Sequence, residues 1–132
     1  MSEQQTEDPR MQMTRYVMGL LESWELNAAQ QVSTLALPEG TRTRVLRSFC
    51  DNTPLPDTDD VNQRVEHILA IDEALHTTYP HSQQMGAMWM RRAHRRFKQR
   101  SPVKAIIEDG LQGLVAVRMD LDCSWISSAN NG

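Results

Sequence analysis

Apolar residues recur at intervals of three and four along most of this chain, which is the spacing of amphipathic helices. From Thr14 onward, Tyr16, Val17, Leu20, Leu21 and Trp24 share one helix face. Asn27 is a good N-cap for a second, short helix with Ala28, Val32 and Leu35 on its inner side. Pro38-Glu39-Gly40 marks a turn, and Thr41 then caps a third helix carrying Val45, Leu46 and Phe49. Asn52 to Asp57 contains two prolines and reads as a linker between two units. Asp57, Asp59 and Asp60 open the next helix, where carboxylates favour the dipole. Its apolar stripe is Val61, Val65, Ile68, Ile71 or Asp72, and Leu75, and Tyr79-Pro80 ends it.

Ser82 caps a further helix with Met85, Met88, Trp89 and Ala93 facing inward. Ser101 as N-cap and Pro102 at the first helical position start a short helix that Gly110 closes. Leu111, Leu114, Val115 and Met119 lie on a last helix, with irregular chain expected after Leu121. No stretch alternates with period two and no internal repeat is visible, so the fold class is all-α with about seven helices. The organisation expected is a mobile tail over 1–13, a three-helix unit over 14–52, a second helical domain over 57–122 and an irregular tail over 123–132.

Composition narrows this picture. The chain has 132 residues, a hydrophobic content of 39% and aromatics at 5%, enough for one lean core of Leu, Val, Ile and eight Met. No apolar run approaches the ~18 residues that span a membrane. The first residues have neither the basic start nor the apolar centre of a signal peptide. Cys50 and Cys123 are far apart and without a CxxC; they are read as reduced, partly buried thiols of a cytoplasmic protein, with pairing as the alternative.

Charge changes the picture more. The formal net charge is −3, yet seven of the 14 Lys and Arg fall between Arg91 and Lys104 with no acid among them. Arg91, Arg92, Arg95, Arg96, Lys98, Arg100 and Lys104 could form a nucleic-acid surface, a surface for an acidic partner, or a solvated face. On one continuous helix, pairs such as Arg91/Arg95 and Arg92/Arg96 would repel by a few tenths of a kcal/mol each, roughly. That strain favours a binding role, and neutralising four phosphates would give a log-log salt slope of about −3.6. Arg42, Arg44 and Arg47 sit on the third helix, where they either contact DNA in the major groove or form a solvated face on a helix used for dimerisation.

Catalytic chemistry finds little support. His67, His76, His81 and His94 have no metal-ligand spacing, and Asp72-x-x-x-His76 reads as a surface pair. No nucleophile elbow, glycine-rich phosphate loop or carboxylate pair is present. Neither an enzymatic role nor a cofactor is expected.

The second unit resembles the toxin-binding domain of the Xre/MbcA/ParS antitoxin family. The matching residues are Arg64, Ile68, Ile71, Leu75 and Tyr79-Pro80, then Trp89, Phe97, Ser101-Pro102, Gly110, Gly113-Leu114 and Val117. The first unit is similar to the helix-turn-helix-like segment that precedes this domain, through Trp24-Glu-Leu26-Asn27, Val32, Leu35, Ala36 and Leu37. The chain departs from the pattern at Ala36, where the family has glycine, and at Gln99-Arg100, where a small residue is usual before Ser-Pro. It also lacks the Trp-Leu-x-x-Pro-Asn run, so the Trp89 helix can continue through Arg96.

The resemblance implies a type II antitoxin that binds and sterically blocks a RES-domain toxin consuming NAD. It also implies repression of its own operon through operator DNA, with a homodimer as the expected DNA-reading form. Asp120, Asp122 and Trp125 are then the expected toxin contacts, while Arg64, Trp89, Ser101, Pro102 and Gly110 are structural. Arg64 is expected to pair with a carboxylate or a helix end. A Trp-Ile pair so near the chain end either folds back or anchors a partner. The competing readings are a DNA-binding regulator without a toxin, and an adaptor gripping an acidic protein through its basic helix.

Overall fold

The computed structural model describes residues 8–131, with side chains through Cys123. Among the described residues the chain is all-helical. Its elements are α1 (Pro9–Ser23), α2 (Ala28–Thr34), α3 (Thr43–Phe49), α4 (Asp59–Thr78), α5 (Gln83–Arg91), a 3-10 turn (Arg95–Phe97), α6 (Pro102–Asp109) and α7 (Leu111–Asn131). None of the helices is long and apolar enough to cross a membrane.

Local chemistry sets most of the boundaries. Asn27 accepts from Gln30 N while the Gln30 side chain accepts from Asn27 N, a capping box that starts α2. Ser82 and Ser101 accept from the third residue of α5 and α6 at 3.3 and 3.0 Å. Each such cap contributes about 1 kcal/mol. Gly110 closes α6 at φ 64°, a conformation that favours glycine. Ala36 also lies in the left-handed region, at φ 58°, with Leu37 N–H donating to the Val32 carbonyl at 3.0 Å. That closure ends α2 with an alanine where a glycine would be unstrained.

Several expectations are corrected. The expected mobile tail over 1–13 gives way at Pro9, because Asp8 accepts from Arg10 N and Pro9 occupies the first turn, so helix begins five residues before Thr14. Thr41 does not cap α3. Its hydroxyl donates to the Pro38 carbonyl at 2.6 Å and closes the turn, leaving Arg42 at the N-cap without a side-chain cap. The irregular tail expected over 123–132 is instead helix through Asn131. The Trp89 helix stops at Arg91 instead of continuing through Arg96. Phe97, only 5% exposed, is drawn into the core, and Lys98 and Gln99 turn left-handed at φ 60° and 65°. The loop is then pinned by the His94 N–H donating to the Arg100 carbonyl at 3.0 Å.

The proline-bearing segment between the two expected units is packed. Leu55 is buried in the same apolar cluster as Val17, Leu21, Leu35, Phe49, Ile68, Met90, Ile106, Leu114 and Val117. Arg10 donates to the carbonyls of Leu55 and Pro56 at 2.8 and 2.6 Å and to Asn62 Oδ1 at 2.9 Å. Leu55 N–H in turn donates to Thr14 Oγ1 at 3.0 Å. One core therefore runs from α1 to α7. At its tightest point, a Cβ added to Gly113 would sit 2.3 Å from the Ala105 carbonyl oxygen, so α7 approaches α6 as closely as only glycine allows.

Candidate functional site

Three surfaces carry the residues that the sequence singles out. The first is α3. Arg42, Arg44 and Arg47 are exposed, and none forms an ion pair with a described residue. The connection from α2 runs from Leu35 to Arg42, about twice the three- to four-residue turn of a helix-turn-helix. Val45, expected inward, is 42% exposed on this helix, whereas Leu46 and Phe49 are buried. The short helix carries only one inward edge, so Val45 joins the three arginines outside.

The second surface is the basic run. The broken helix scatters its cations, so Arg91, Arg92, Arg95 and Arg96 do not share one face as expected. Acids from elsewhere in the chain answer four of them. Arg91 meets Glu25 at 2.8 Å, and Arg96 meets Asp120 at 2.7 Å. Arg100 holds Glu108 at 2.9 Å and Asp109 at 3.1 Å, with Lys104 3.9 Å from Glu108. The Arg100 guanidinium holds the Asp109 carboxyl below its usual range. Arg92, Arg95 and Lys98 remain exposed and outside any ion pair with a described residue. The run reads as uniformly basic in sequence because its partners lie outside it: Glu108 and Asp109 follow on α6, and Glu25 and Asp120 come from farther along the chain.

The third surface is α7. Its first half packs through Leu114, Val117 and Leu121. Asp120 is largely covered: Oδ1 takes Arg96, and Oδ2 is buried without a hydrogen-bond partner. Asp122 is exposed. Trp125 lies on the α7 backbone, and its side chain falls outside the described residues, so the contact expected there is not reached by the structure. Together, α7 and the Arg96 loop enclose a cleft of about 350 Å³ that includes Phe97, Met119 and Cys123.

The expected structural residues form a consistent group. Arg64 donates to the carbonyls of Ser33 and Thr34 at 3.4 and 3.3 Å, the helix-end partner foreseen for it. Trp89 is half-buried, 4.9 Å centroid-to-centroid from His94 and edge-on to Phe97 at 6.3 Å. Cys50 and Cys123 are free and exposed, correcting the partly buried thiols expected.

Sequence reasoning missed one polar cluster. Asp72 is not a surface residue. It is 9% exposed beneath a groove of about 310 Å³ between α1, α4 and α5. Tyr16 donates its hydroxyl to Asp72 Oδ2, and His76 Nε2 lies 3.6 Å from Oδ1. That hydrogen bond, followed by burial and the carboxylate charge, pushes the Tyr16 pKa up to about 12. Tyr16 is thus a donor and not a nucleophile at neutral pH, and it latches α1 onto α4. The visible hint was a carboxylate sharing the apolar stripe of α4.

No protein-family model matches this chain, and no curated protein matches it.

Proposed function

We propose that this protein is a type II antitoxin-like binder that blocks a RES-domain, NAD-consuming toxin by occupying its active-site entrance. The resemblance over Val61 to Leu121 motivates the reading, and the form of α7 is the observation that carries it. The helix is anchored by Leu114, Val117 and Leu121 at one end and continues from Asp122 to Asn131, about 15 Å at 1.5 Å per residue. An occluding element needs a fixed base with helix continuing past it, which is the arrangement of backbone that α7 has. Inhibition of this kind asks for shape and affinity, not for chemistry by the binder.

The test is co-expression with a RES-domain protein encoded beside this gene, followed by co-purification and an NAD-consumption assay. The full chain is expected to suppress NAD loss. A chain ending at Leu121 is expected to fold, by circular dichroism, but to release the toxin's activity. Full inhibition by that truncated chain would overturn the α7 reading.

A second reading is favoured by three exposed arginines on and just before α3, none in an ion pair with a described residue: contact with operator DNA, most simply as a homodimer on a two-fold site. Replacing Arg42, Arg44 and Arg47 by Ala is expected to abolish a mobility shift on the gene's own upstream DNA. A shift that survives those changes and is lost on replacing Arg92 and Arg95 would assign DNA to the other surface.

A further inference from the structure

The outer face of α5 is apolar where its sequence predicts burial. Met85 and Met88 are 52% and 47% exposed, and of the α5 residues only Gly86 and Met90 are buried. With Tyr79, Trp89 and Arg92 they line a notch of about 80 Å³, room for a single aliphatic side chain. No carboxylate lines this notch. The acids that answer the basic run are committed elsewhere, to Arg91, Arg96, Arg100 and Lys104. Arg92 at the rim, and Arg95 shortly after it, are left without an ion partner among the described residues.

We propose that this face is a docking site for a segment of another protein that carries acidic residues around one aliphatic anchor. The anchor seats between Tyr79, Met85, Met88 and Trp89, and the carboxylates pair with Arg92 and Arg95. Methionine suits such a site because its flexible thioether repacks around different side chains. Exposed apolar groups next to unpaired charge also give both desolvation and electrostatic selection.

Other occupants fit less well. A second copy meeting this face across a two-fold axis would bring Arg92 toward its own counterpart, like charge against like. A nucleic acid would leave the exposed Met85 and Met88 without an apolar partner. The site stands on α5, its following loop and Tyr79 at the end of α4. It therefore does not depend on α7 or on the toxin reading.

The probe is a random 12-residue peptide library displayed on phage and selected on the full-length protein. Enriched peptides are synthesised and titrated while the methionine methyl groups are followed by NMR. Supporting peptides carry at least two acids flanking a Leu, Ile or Met. They shift the methyls of Met85 and Met88, and leave those of buried Met18 and Met90 in place. Met88→Glu and Arg92→Glu are each expected to weaken binding at least about tenfold, whereas Arg44→Glu on α3 changes it little. Any of four results overturns the proposal: no enrichment, enrichment of basic or acid-free peptides, shifts confined to other methyls, or self-association through Met85 and Met88 in sedimentation. Binding of this face to vesicles of phosphatidylserine and phosphatidylcholine in place of any peptide would assign it to a membrane surface and equally overturn it. The methyl mapping uses the unaltered chain, so the outcome does not hang on how a variant folds.

Discussion

Helices α5 and α6 are neighbours of similar length, both capped by serine and both clearly amphipathic, yet they spend their apolar residues differently. In α6, Pro102, Val103, Ala105 and Ile106 are all buried. In α5 only Gly86 and Met90 are buried, and two large methionines face outward. The difference lies in what stands opposite. The long helix α7 passes α6 at glycine-limited distance, whereas α5 meets α4 and α6 on its inner side and, among the described residues, leaves Met85 and Met88 uncovered on the other. An apolar stripe announces an interface but does not say whether the partner belongs to the same chain.

The sharpest way to break this comparison is Gly113→Ala. The new methyl would collide with backbone, which cannot swing aside, so a loss of about 3 kcal/mol or more is expected in urea unfolding. A loss under about 1 kcal/mol would mean that the α6–α7 seam is looser than described.

Next in size is a matched pair of truncations. Ile106→Ala on α6 removes a side chain that is 1% exposed and is expected to cost about 3 kcal/mol. Met88→Ala on α5 starts from 47% exposure and is expected to change stability by less than about 0.5 kcal/mol. Equal costs would erase the distinction between the two helices.

Gly86→Ala on α5 reverses the sign seen at Gly113. Its Cβ would meet Leu75 Cβ at 3.4 Å, an ordinary packing contact, while alanine favours helix. Thermal unfolding is expected to show a gain of roughly 0.5–1 kcal/mol.

The smallest effect concerns pH at the other face of α7. Arg118 donates to His67 Nδ1 at 3.1 Å, an interaction that needs a neutral imidazole. Burial first, then the charge of Arg118, holds the His67 pKa below 6.5, with Glu66 opposing and Arg64 assisting. A folded-state pKa held low means that stability is fully present above about pH 6.5 and declines as pH falls below it. His67→Gln keeps an acceptor and cannot titrate, so the difference in urea midpoint between the two proteins is expected to appear only on acidification. A constant difference from pH 8 to 5 would remove His67 as the cause.

How far the sequence could be read varied with the kind of signal. Caps were legible because they are local: Asn27, Ser82, Ser101-Pro102 and Gly110 each stand at the boundary expected of them. Asp8-Pro9 carries the same kind of signal, but the polar composition around it suggested a tail. The stripe of α4 was legible because Val61, Val65, Ile68, Ile71 and Leu75 repeat along 20 residues. Methionines at helical spacing on α5 carry no such guarantee, because inward and outward faces differ only by what approaches them. The basic run misled for a related reason. Its charge pattern is a fact of the sequence, but its neutralisation by Glu25, Glu108, Asp109 and Asp120 is a fact of folding.

By itself, the sequence determined the helical class, the order of the elements and most of their ends, since these depend on hydrogen bonds and periodicity within a few residues. Only the tertiary structure decided that α5 stops at Arg91, that Asp72 lies beneath Tyr16, and that Arg92 and Arg95 form no ion pair with a described residue. Each of those outcomes depends on groups brought together from distant parts of the chain, and their positions follow from how the whole core packs.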